Sequence, residues 1–146
     1  MNPKRRELTA TALLGLAASD ALHAVAQAAA AAPAGLQLRT FMERAFEMKR
    51  RAVAAGDQPY GAVVVKDGRI LAESPSRVVT AKNMDAHAER EALRLARAAA
   101  GGSNLAGAIL VSSSRPCSLC ERAAFEAGVA RMIHGENLTD AGAPRG

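Results

Sequence analysis

Four residues of this chain could do chemistry together: His87 and Glu89, one residue apart, and Cys117 and Cys120 in a C-x-x-C spacing. An imidazole and two thiolates are good ligands for a borderline-soft cation. The two cysteines are the only ones in the sequence, and two intervening residues are too few for a fold-stapling disulfide, so they suit a metal or a redox motif. One histidine and two cysteines supply three zinc ligands and leave a fourth position for water, the catalytic pattern rather than the structural one. Zinc in such a site would lower the pKa of its water to about 7. Glu89, not needed as a ligand, would then take up a proton and hand it on. Taken singly, each residue has a plainer reading. A histidine at a helix start is a cap or a surface residue, a lone C-x-x-C is redox-active, and a lone glutamate is solvated.

These residues need elements to bring them together. Thr40 with Glu43 reads as a capping box opening an amphipathic helix, with Phe41, Ala45, Met48 and Ala52 on one face and Gly56 as its stop. Gly61 to Val65 reads as a buried strand, Asp67-Gly68 as a hairpin turn, and Arg69 to Ala72 as the returning strand. Ser74 to Met84 is expected as a loop, followed by a helix from Ala86 to Ala100 that Gly101-Gly102 ends. A strand over Ala108–Val111, a helix over Cys117–Ala127 and a strand over Val129–Ile133 complete the order αββαβαβ, an α/β fold. No periodic signal covers the last dozen residues. On the second helix Ala88, Ala92, Leu95 and Ala99 are expected to face the sheet, with Arg90, Arg94 and Arg97 in water. His87 and Glu89 would flank that stripe in the first turn, with Asp85 as N-cap. On the third helix both thiols would point inward at the positive end of the helix dipole, which lowers a thiol pKa.

At 146 residues there is room for one core, and no period of 20 to 50 residues repeats. A hydrophobic share of 49% excludes global disorder. The net charge of +5 and pI near 9.9 attract polyanions, but the charges are scattered. Aromatics are 3% (Phe41, Phe46, Tyr60 and Phe125), which leaves no stacking platform for single strands, so nucleic acid is not the expected partner. Residues 1–32 read as an export signal and linker: Lys4-Arg5-Arg6, an apolar Leu13 to Ala18, and Ala26-Gln27-Ala28 as a cleavage pattern. The paired arginines resemble a twin-arginine signal. The stretch is too short, and too interrupted by Ser19 and Asp20, to span a bilayer. The alternative is an amphipathic N-terminal helix of a cytoplasmic protein.

His87-Ala88-Glu89 with Pro116-Cys117-Ser118-Leu119-Cys120 resembles the H-x-E…P-C-x-x-C signature of the zinc deaminases. Pro59-Tyr60-Gly61-Ala62-Val63-Val64-Val65 followed by Asp67-Gly68 is similar to that family's first hairpin. The resemblance runs from Phe41 to Gly135 and is nearest in look to bacterial guanine deaminases and tRNA adenosine deaminases. It implies a three-layer α/β/α cytidine-deaminase-like fold over residues 36–140, a mixed sheet with helices on both faces. It further implies one Zn2+ per chain on His87, Cys117 and Cys120, and Glu89 as catalytic proton shuttle. Tyr60, Gly61, Ala62, Ser76 and Pro116 would line the substrate pocket. Three departures accompany it: Arg115 stands where relatives commonly show Glu, Ser74-Pro75-Ser76-Arg77 replaces a stretch carrying a base-contacting Asn, and the relatives' C-terminal helix and strand have no evident counterpart after Gly135. The expected protein is a periplasmic, zinc-dependent, guanine-deaminase-like hydrolase of a free nucleobase, nucleoside or related amino-heterocycle that releases ammonia. It would act as a homodimer without stable membrane association. A cytoplasmic tRNA adenosine deaminase, a catalytically decayed metal-binding scaffold and a redox protein remain the alternatives.

Overall fold

The computed structural model describes residues 35–102 and 104–146; the export segment and linker proposed for residues 1–32 lie outside them. Helix α1, Gly35–Ala54, buries Phe41, Met42, Ala45, Met48 and Ala52 along one stripe. It begins five residues before the expected capping box. Leu36, Gln37, Leu38 and Arg39 are all sound helix formers, so the helix runs through them, and the Thr40 hydroxyl donates back to the Leu36 carbonyl at 3.4 Å instead of capping. Gly56, at φ +75°, follows the helix as its left-handed stop.

Strands β1 (Gly61–Lys66) and β2 (Arg69–Pro75) form the expected hairpin, with both turn residues, Asp67 and Gly68, at positive φ. β2 extends past Ala72 through Ser74 and Pro75, which had read as loop; an edge strand tolerates a terminal proline because no ladder bond is lost there. Helix α2 (Ala88–Ala99), β3 (Ile109–Ser112), helix α3 (Ser118–Glu126) and β4 (Arg131–His134) follow in the expected order. A further strand, β5 (Thr139–Gly142), lies where no periodic signal is legible and corrects the order to αββαβαββ. It is four residues long and folds back antiparallel on β4 through a tight turn carrying Gly135 and Leu138 at positive φ. An Arg131–Asp140 ion pair ties the two strands.

The five strands form one mixed sheet in the order β2-β1-β3-β4-β5, with β3 and β4 parallel and the other neighbours antiparallel. Alternation of side chains sorts the core into two layers. Val63, Val65, Ile109, Val111 and Ile133 pack on α1, while Ala62, Val64, Leu110 and Met132 pack on α2 and α3. This is a three-layer α/β/α arrangement. Gly61 is required at its place: a Cβ there would overlap the Ala45 carbonyl oxygen and the Lys49 amide nitrogen of α1. Among the described residues no helix is long and apolar enough to cross a membrane.

Candidate metal centre and proton-transfer site

Register sets the location of the site. Gly61 pairs with Pro75, Ala62 with Ser112, and Ser112 with His134, so the start of β1 and the ends of β2, β3 and β4 share one edge. From this edge the chain leaves β2 toward α2 and β3 toward α3. The N-termini of both helices therefore arrive together, as open α/β sheets arrange their ligand sites.

The connection to α2 is held by Asp57, 8% exposed, whose carboxylate accepts from the Gln58, Val79 and Thr80 N–H groups and from the Ser76 and Thr80 hydroxyls. Burial acts to raise its pKa, but these bonds, led by the Thr80 and Gln58 N–H groups, override it and hold the carboxyl well below the usual carboxylate range. The Ser76 N–H donates to the Tyr60 carbonyl and the Arg77 N–H to the Ala86 carbonyl, which closes the loop and delivers His87 to the start of α2.

His87 is itself the N-cap of α2 and makes no side-chain cap bond, so its imidazole is free to turn toward α3. Asp85, expected as the cap, is exposed and pairs with Arg90 at 2.6 Å. The buried stripe of α2 is Ala88, Glu89, Ala92, Leu93 and Ala96 rather than one through Leu95 and Ala99, which are exposed. The stripe is rotated because Leu93 and Ala96 fill the space above Val64 and Leu110. The rotation carries Glu89, 5% exposed, from the flank onto the buried face. Ser112 of β3, itself 0% exposed, donates to Glu89 Oε1 at 2.8 Å.

Cys117 caps α3, its Sγ accepting the Cys120 N–H at 3.4 Å. Cys120 lies on the buried face with Ala124, whereas Cys117 is exposed, so the two thiols do not both point inward. Their sulfurs are nevertheless 3.3 Å apart, and His87 Nδ1 is 3.8 Å from Cys117 Sγ and 3.5 Å from Cys120 Sγ. A tetrahedral zinc with Zn–S and Zn–N bonds of about 2.3 and 2.0 Å separates its ligand atoms by about 3.5–3.8 Å. The two nitrogen–sulfur separations agree with this, the sulfurs stand closer together than bound zinc would hold them, and the donor set is a zinc donor set. Burial, with the Glu89 charge and the neighbouring Cys117, pushes the Cys120 thiol up from its ordinary value, opposite to the lowering expected at a helix start. A cation among these groups would reverse that balance.

The other sequence-selected residues lie on the segments that meet at this end of the sheet. Gly61 and Ala62 are buried at the start of β1, and Tyr60 beside them is 42% exposed. Ser76 is buried with its hydroxyl given to Asp57 at 2.8 Å. Pro116 is buried, and the exposed Arg115 borders with it, His134 and Thr139 a cavity of about 210 Å³ behind the cysteine loop. His134 is not among the residues whose donor atoms converge, which are His87, Cys117 and Cys120. Sequence reading overlooked Asp57 and Ser112. Ser112 follows Leu110 at the two-residue strand period and opens the run Ser112-Ser113-Ser114, whose small polar side chains carry no strand signal.

The family model for the cytidine and deoxycytidylate deaminase zinc-binding region matches residues 36–136. Guanine deaminase of Bacillus subtilis is 39% identical over 103 residues, 70% of this chain and 66% of that protein. A tRNA-specific adenosine deaminase of Agrobacterium fabrum is 37% identical over 103 residues, 70% of this chain and 68% of that one. The X-ray structure of the Bacillus subtilis guanine deaminase superimposes with a TM-score of 0.63 at 38% identity, covering 66% of this chain and 62% of that one. The chain thus spans just under two thirds of the Bacillus enzyme's length.

Proposed function

The chain belongs to the cytidine and deoxycytidylate deaminase family, and from that premise we propose that it is a zinc-dependent hydrolase removing an exocyclic amine from a free nucleobase, nucleoside or related amino-heterocycle. The observation that carries this reading is the meeting of three donor atoms, His87 Nδ1, Cys117 Sγ and Cys120 Sγ, within 4.8 Å of one another, with the Glu89 carboxylate at the same place. His87, Cys117 and Cys120 would hold the zinc, which when bound supplies a Lewis acid that makes water nucleophilic near neutral pH. Glu89 takes the proton that the attacking water loses and delivers it to the departing amine, so that amine and water become carbonyl and ammonia. Its near-complete burial excludes bulk water from the exchange. Tyr60, Gly61 and Ala62, at the start of β1, would line the base.

The test is ammonia release at neutral pH from guanine, adenine, cytosine, their nucleosides and aminated pteridines and triazines, beside a Glu89→Ala control. Turnover on one compound that the control lacks supports the reading; silence from zinc-loaded protein across the panel refutes it. The relative of Agrobacterium fabrum, named as tRNA-specific, favours a second reading in which the base sits in a tRNA. Retention of the protein by tRNA at low salt, released at high salt, would move the conclusion there. The proposal extends to export of the chain through residues 1–32, checked by the N-terminus of protein from the native host. It extends also to pairing of two copies, checked by sedimentation.

A further inference from the structure

Glu89 is placed by one hydrogen bond, and the geometry of that bond is specific. Ser112 Oγ lies 2.8 Å from Glu89 Oε1 and also 2.8 Å from the Ser114 carbonyl oxygen. Glu89 Oε2 is turned the other way, 3.8 Å from Cys120 Sγ and so toward the three donor atoms. Ser112 is fully buried in the middle strand of the sheet, between Ala62 on β1 and His134 on β4.

Ser112 donates to Oε1, while the proton being moved is exchanged at Oε2, on the side of the donor atoms, so Oε1 remains an acceptor for the same bond throughout the transfer. A methyl at this position would leave Oε1 buried and unsatisfied.

Resting on the proposed deaminase reading, we propose that Ser112 is the positioning residue of the proton-transfer carboxylate: it holds Glu89 Oε1 through both halves of the transfer and leaves Oε2 to the reacting atoms. The Ser112 hydroxyl is bonded to Glu89 and lies by the Ser114 carbonyl, so it acts through Glu89.

Valine and threonine have nearly the same shape and differ in the hydroxyl, so Ser112→Val and Ser112→Thr separate hydrogen bonding from packing. Ser112→Val is expected to lower kcat about 10- to 100-fold, the range for losing a hydrogen bond to a charged group. KM and the zinc content stay unchanged, and Ser112→Thr recovers most of kcat. Equal kcat in the two variants, or a loss expressed in KM alone, overturns the proposal. Should the branched pair fail to fold, Ser112→Ala adds no volume and carries the same test: its kcat falls at constant KM, or the proposal is wrong. An infrared measurement on the zinc-loaded protein decides without turnover. The Glu89 carboxyl band, assigned by its absence in Glu89→Gln, shifts in Ser112→Val or Ser112→Ala and keeps its place in Ser112→Thr. A band that stays put in all three overturns Ser112's role, whereas an inactive wild type with a shifting band overturns only the deaminase reading.

Discussion

Replacing Gly61 with alanine should be among the most damaging single-methyl changes available in this chain. A Cβ built there meets three atoms of α1: the Ala45 carbonyl oxygen, the Lys49 amide nitrogen and, at 2.7 Å, Met48 Cβ. Two of these are backbone, and the third is the Cβ of a helical residue, so no rotamer change relieves the overlap. The helix must retreat from β1, loosening Phe41, Met42 and Ala45 from Val63, Val65 and Val111. Overpacking that moves backbone sits at the upper end of the usual range, about 3 kcal/mol. For a domain of this size that corresponds to a drop in Tm of roughly 10–15 °C. Gly56→Ala is the control, since φ there is +75° with nothing within 4 Å of the added methyl. It carries only the left-handed backbone cost of about 1–2 kcal/mol. Far-UV circular dichroism during urea and thermal unfolding reads both variants. Met48→Ala retains the Cβ and is expected to give no rescue in combination. Gly61 also exchanges two bonds with Ser113, its N–H to Oγ at 3.0 Å and its carbonyl from the Ser113 N–H at 2.9 Å, which tie the start of β1 to the end of β3. A Gly61→Ala protein as stable as Gly56→Ala would refute this account of how α1 seats on the sheet.

Three other perturbations test separate parts of the site. Glu89→Gln keeps the shape and the bond from Ser112 while removing the group proposed to shuttle the proton; ammonia release should fall about 10²–10⁴-fold with zinc content unchanged, by elemental analysis. Cys120→Ala removes a buried donor, and its zinc affinity should fall by more than the 10–100-fold that outer-shell partners cost, measured by competition with a chromogenic chelator. Asp57→Asn places an amide donor among groups that themselves donate. The folded-state pKa of Asp57 is depressed, so its stabilisation is complete above the unfolded value of about 3.9 and is lost as pH falls below it. The Tm of Asp57→Asn should therefore lie below that of wild type at pH 7, with the gap closing as the solution is acidified below about pH 4. A gap that widens on acidification would show that Asp57 is not held ionised.

Local pattern was enough to place most of the elements and the four chemical residues, and the reasons are local. Asp67-Gly68 needs no partner to be a turn, β-branched runs announce buried strands, and C-x-x-C after proline fixes two donors one helical turn apart. The motif His87-x-Glu89 likewise lies in the covalent order of the chain. What resisted reading depends on contacts between distant segments. An alanine-rich helix offers several nearly equivalent stripes, and only packing on Val64 and Leu110 selects the one that buries Glu89. β5 lacks a hydrophobic pattern and exists because β4 presents an edge to it. Asp57 gathers bonds from residues 19 to 23 positions away, a relation that no window on the sequence contains. Ser112 acquires its meaning from Glu89, 23 residues earlier, through the packing of α2 on the sheet face that Ser112 shares with Leu110. Composition and spacing thus determined which atoms are present for chemistry. Register, helix rotation and burial, which are energies of the folded chain as a whole, decided which of those atoms meet.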